Sequence, residues 1–116
     1  MLLMEEIYLQ LREHDLVDTA EQFSTDWCWR SRSWYAVQKN KERDLTVATA
    51  ITCLNNVKVK IALAQLRRKK FGSIVEGDIE TLGIIKCRLE AYLLVKHRIA
   101  AVAGEETPNG NMLGFQ

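Results

Sequence analysis

TVATAITCLNNVKVKIALAQLRRKKFG, residues 46–72, is the stretch on which the fold turns. Val47, Ala50, Ile51, Leu54, Val57, Ile61, Leu63 and Leu66 fall mostly on one wide stripe at helical spacing, and Thr46 offers an N-cap. Gly72 is the expected end. Asn55 and Asn56 are poor helix interior, which leaves open one long helix or two joined end to end. Beyond Gly72, the residues Ser73, Glu76, Gly77 and Asp78 suggest a turn. Leu82, Ile85, Leu89, Tyr92, Leu93 and Ile99 then mark a last helix closed by Gly104. Two long helices across a short turn imply an antiparallel hairpin with arms of roughly 35 Å at 1.5 Å per residue.

Upstream, Met4, Ile7, Leu9 and Leu11 indicate an amphipathic helix over about 4–14, with Glu5 and Glu6 at its N-terminal dipole. Asp18 with Glu21 reads as a capping box for a second helix to about Trp27, its inner face Ala20, Phe23 and Trp27. Ser31 is placed to cap a third, from Arg32 to about Asn40, with Trp34 and Val37 inside. Trp29 and Tyr35 are the aromatics left for surface contact. The charged run 39–44 reads as a solvated loop, and 105–116, with the one proline, as a flexible tail. The expectation is therefore an all-α fold: one helical domain over 1–104, with a three- to four-helix head (1–56) and a helical hairpin (57–104). The hairpin exceeds what the head can cover, which predicts a homodimer through the C-terminal helices; arms folded back into a five-helix monomer are the alternative.

At 116 residues, 47 % apolar and 27 % charged, the chain has the balance of one globular domain and not of a disordered or fibrous one. The net charge of +1 hides strong segregation. Residues 1–26 carry one Arg against seven acids, a net −6; residues 27–70 carry eleven Lys and Arg against Glu42 and Asp44, a net +9; residues 71–116 have a net −2. A basic middle is the footprint that phosphate neutralisation requires. Cys28, Cys53 and Cys87 are too widely spaced for metal ligation and suit reduced, packed thiols. No cofactor is expected. The start lacks the pattern of a secretory signal. The longest uncharged stretch, between Asp44 and Lys58, holds three threonines and two asparagines, so no membrane span and a cytoplasmic location are expected. His14 and His97 have no nucleophile at suggestive spacing, and no enzyme is expected.

The run from Val17 to Leu54 resembles a lambda-repressor-like helix-turn-helix domain. The matching residues are Thr19, Ala20, Glu21, Phe23 and Ser24, then Trp27-Cys28-Trp29 at the turn, then Arg30-Ser31-Arg32-Ser33-Trp34-Tyr35 with Val37 behind. Cys28 stands where that turn usually carries glycine. The resemblance implies a dimeric DNA-binding transcriptional regulator of double-stranded DNA. Arg32, Ser33, Ala36 and Lys39 would face the major groove, and Arg30, Ser31 and Lys41 would contact phosphates. The other reading is a helical protein–protein interaction module, an adaptor or anti-activator that does not bind DNA; the acidic first segment suits it, since it would repel DNA lying close.

Overall fold

The computed structural model describes residues 1–71 and 76–97, and within them every regular element is helical. The elements are α1 (Leu3–Glu13), α2 (Ala20–Gln22) running into a π-helical turn (Phe23–Trp27), α3 (Trp34–Asn40), α4 (Val47–Phe71) and α5 (Glu76–His97). Gly72, Ser73, Ile99, Gly104 and the stretch 105–116 lie outside the described residues.

α1 and α3 stop without glycine. In each, the residue after the cap adopts a left-handed conformation, Asp15 at φ 58° and Glu42 at φ 55°. The next amide donates back across the turn: Leu16 to the Leu11 carbonyl at 2.8 Å, and Arg43 to the Gln38 carbonyl at 2.9 Å. Both are Schellman closures. The cap of α2 is Thr19, not Asp18: Thr19 Oγ1 accepts from the Gln22 amide at 3.1 Å, while Gln22 Oε1 accepts from the Asp18 amide at 2.7 Å. The helix then widens because the Ser24 and Thr25 hydroxyls donate to the Ala20 and Glu21 carbonyls, which displaces the backbone ladder to the Cys28-to-Phe23 bond at 3.2 Å. α3 begins at Trp34, two residues later than expected. Ser31 helps to start it through its carbonyl, which accepts from the Trp34 amide at 3.0 Å, not through a side-chain cap.

α4 is one helix of 25 residues that passes straight through Asn55 and Asn56, so the division expected at 56/57 falls inside it. Thr46 Oγ1 accepts from the Thr49 amide at its start. Asn56 is used for docking: its Nδ2 donates to the Trp27 carbonyl at 2.8 Å and ties α4 to the π turn. Glu76, Gly77 and Asp78 belong to α5 rather than to a turn, and the two acids favour its N-terminal dipole. Arg68 near the end of α4 pairs with Glu76 at the start of α5 at 3.2 Å, and Tyr92 near the end of α5 donates to the Leu45 carbonyl just before α4 at 2.7 Å. The two helices thus run in opposite directions along each other. Over Val47–Lys70, α4 is long and apolar enough to cross a membrane by length and composition, a window the uncharged-stretch criterion missed. Its inner side chains Ala50, Cys53, Leu54, Val57 and Ala64 are buried within the fold.

One core joins the elements. Met4, Ile7 and Leu11 of α1, Phe23 and Trp27 of the π turn, Trp34 and Tyr35 of α3, and Leu82, Ile85, Leu89 and Leu93 of α5 close on the inner face of α4. Burial differs from expectation at six positions, one of them Cys87, expected as a packed thiol but exposed because it lies on the outer side of α5. Tyr35, expected at the surface, is buried at 6 % exposure, whereas Val37, expected inside, is 42 % exposed. Leu9, Leu63 and Leu66 also stand in solvent. The physical reason on α3 is register: its inner face runs through Trp34, Tyr35 and Gln38, and one residue of rotation carries Val37 outward.

Candidate interaction surfaces

Tyr35 goes inward because an aromatic cluster receives it. Its ring centroid lies 4.9 Å from that of Tyr8 and 5.9 Å from that of Phe23, and its amide donates to the buried Ser24 Oγ at 3.1 Å. Burial, and then the Glu5 carboxylate and the Tyr8 phenol, push its hydroxyl up to about 12. Behind the turn, the Cys28 thiol is pushed far above its usual range, first by its hydrogen bond with Cys53 and then by burial. Both cysteines are free and buried, and they pack as small apolar side chains.

The seven residues expected at a nucleic-acid surface, Arg30, Ser31, Arg32, Ser33, Ala36, Lys39 and Lys41, are all exposed. Their charges are unequally available. Arg32 meets Glu21 of α2 at 3.3 Å, and Lys39 meets Glu5 of α1 at 3.7 Å. These are the two cations expected to read bases. The outward face of α3 between them is neutral: Ser33, Ala36, Val37 and Asn40. Among the described residues, Arg30 and Lys41 lie at ion-pair distance from no carboxylate. Trp29, between the π turn and α3, is 71 % exposed and holds φ at 56°, a left-handed conformation that a bulky side chain adopts at a cost of about 1–2 kcal/mol. The position that wants glycine is therefore Trp29 and not Cys28.

Two further surfaces lie on the long helices; of their apolar residues only Leu63 and Leu66 belong to the stripe expected from the sequence, which also predicts that the hairpin leaves apolar positions uncovered by the head. On α4, Val59, Leu63 and Leu66 are exposed at spacings of four and three, which sets them in one outward row. Lys58, Arg67, Lys69 and Lys70 flank it. Where this row meets the π turn, Leu16, Trp27, Leu63 and Leu82 line a cleft of about 180 Å³ with Lys60 and Arg67 at its rim. The Lys60 ammonium lies 4.8 Å from the centroid of the Trp27 ring, a cation–π contact. On α5, Ile84, Cys87, Ala91, Leu94 and Val95 form a second exposed row; among the described residues Glu80 lies in line with it, and so does Arg88, four residues after Ile84, which pairs with Glu6. This row borders an open cavity of about 480 Å³ between α1 and α5, crossed by the ion pair of Glu6 with Arg88. The 3- and 4-residue spacings were visible in the sequence. What sets them outward is that the other side of each helix is already taken, on α4 by α5 and the π turn and on α5 by α4 and α1.

Among the described residues, no group of three His, Cys, Asp or Glu side chains could hold a metal ion. No curated protein and no solved structure matches the chain. A family profile does, over residues 4–101, which span every described helix but for the first residue of α1: the chain belongs to DUF6626, a family of unknown function.

Proposed function

We propose that this chain is a helical protein–protein interaction module, an adaptor or anti-activator in kind, that works through the outer faces of its long helical hairpin. The observation that carries the reading is the pair of exposed apolar rows, Val59–Leu63–Leu66 on α4 and Ile84–Leu94–Val95 on α5. Apolar side chains in contiguous rows on a small domain mark surfaces that another protein covers. The two rows differ in what they suit. The α5 row has the small residues Cys87 and Ala91 at its centre, and its one cation among the described residues, Arg88, is paired with Glu6, so two copies approach closely with little like-charge repulsion. It is the seam of a homodimer. The α4 row is flanked by cations, which oppose a second copy of the same surface. The head, helix-turn-helix-like over 17–54, serves in this reading as a scaffold with the exposed Trp29 as a contact point.

A DNA-binding regulator is the second reading, favoured by the exposure of Arg30, Ser31, Arg32, Ser33, Ala36, Lys39 and Lys41. Fluorescence anisotropy of labelled genomic fragments at two salt concentrations separates the two. The interaction module binds no fragment better than random duplex. A preferred fragment whose affinity falls by about 1–3 kcal/mol in Arg32→Ala would overturn it in favour of the regulator.

A further inference from the structure

From the cleft between the π turn and the outer row of α4, we infer that this face takes an acidic amphipathic helix of a partner protein: one Leu- or Phe-sized side chain enters the cleft, and carboxylates beside it meet Lys60 and Arg67. The inference rests on the interaction-module reading and names the partner's chemistry.

Three observations carry it. The cleft is concave and apolar, with Trp27, Leu16 and Leu82 as floor and Leu63 as wall, and its volume of about 180 Å³ suits a single side chain. Leu63 also belongs to the exposed row with Val59 and Leu66, so the cleft opens onto a ridge about 10 Å long at 1.5 Å per residue, which suits a helix lying along it. The charges are of one sign and unpaired with any described carboxylate, although the Lys60 ammonium also rests on the Trp27 ring. Among the described residues, no carboxylate lies within ion-pair distance of Lys60 or Arg67, whereas Arg32, Lys39, Arg68, Lys86 and Arg88 all have one. Cations around an apolar hole select an apolar anchor with acidic neighbours. A lipid surface is flat and leaves the hole empty; a phosphate backbone leaves Val59, Leu63 and Leu66 against charge.

The test is selection of a displayed library of helical 20-residue peptides on the full-length protein, followed by anisotropy with one enriched peptide. The expected result is a consensus of Leu or Phe at spacings of three and four with Glu or Asp between them. Binding should weaken by about tenfold in Lys60→Glu/Arg67→Glu and recover when the peptide's acids are changed to lysine. Arg67→Glu alone, at an exposed position, should weaken it in the same direction with an unchanged circular dichroism spectrum. Enriched peptides that bind these variants as well as wild type would overturn this site and leave the interaction module standing. No enrichment at all would overturn this site, and the interaction module would then rest on the α5 seam alone. Binding to phosphatidylserine vesicles that the double variant loses, with no acidic peptide selected, would overturn the proposal in favour of a lipid surface.

Discussion

Asp44 caps a helix 41 residues upstream: its Oδ2 accepts the Leu3 amide at 2.7 Å, while its Oδ1 accepts the Met4 amide at 3.1 Å and its neighbour Leu45 at 2.8 Å. A carboxylate at the positive end of the α1 dipole satisfies donors that the helix itself leaves unpaired. Asp44→Ala is expected to lower stability by about 1–2 kcal/mol, read as a lower urea midpoint with an unchanged slope.

Phe23 is wholly buried, with ring contacts to Tyr8, Trp34 and Tyr35, and so links α1, the π turn and α3. Phe23→Ala is expected to cost about 3–5 kcal/mol in the same denaturation experiment.

Trp29→Gly tests the left-handed turn. Glycine removes the strain at φ 56° but adds freedom to the unfolded chain, and the net expectation is a gain of about 0.5–1 kcal/mol. A loss of stability would show that the exposed ring is held by contacts stronger than its backbone strain.

The raised Tyr35 hydroxyl makes stability pH-dependent on the alkaline side. Its folded value of about 12 exceeds the ordinary 10.0, so the neutral phenol is favoured by folding. The contribution is complete below pH 10.0 and is lost as pH rises toward about 12, because the unfolded chain ionises first. Thermal midpoints measured from about pH 9 upward should fall less steeply in Tyr35→Phe than in wild type.

Much of this architecture is legible in the sequence, and the reasons it stops being so are particular. The 3.6-residue pattern of α4 and α5 identifies them as helices, since apolar spacing is a local property. Which apolar residues face inward is not local. Val37, Leu63 and Leu66 belong to apolar patterns, yet the core closes over Tyr35 and Ala64 instead, because Tyr8 and Phe23 receive Tyr35 and a small alanine fits against α5. Asp44 read as part of a solvated loop and Asn56 as a weak point in a helix; each turns out to bond a backbone group far away in sequence. At the candidate site the residue types around Arg32 and Lys39 were readable, and their exposure was as expected. Their neutralisation by Glu21 and Glu5 required the folded arrangement of three helices.

The central claim is that the outer faces of the long helices are protein-binding surfaces, with α5 as the seam between two copies. Sedimentation equilibrium of wild type and Ile84→Glu tests it most directly. The account predicts a wild-type mass of roughly twice 13.3 kDa at micromolar concentration, and a return to a single folded copy in the variant with its helical spectrum intact. A wild-type protein that stays at 13.3 kDa across that range, with Ile84→Glu indistinguishable from it, would contradict the claim.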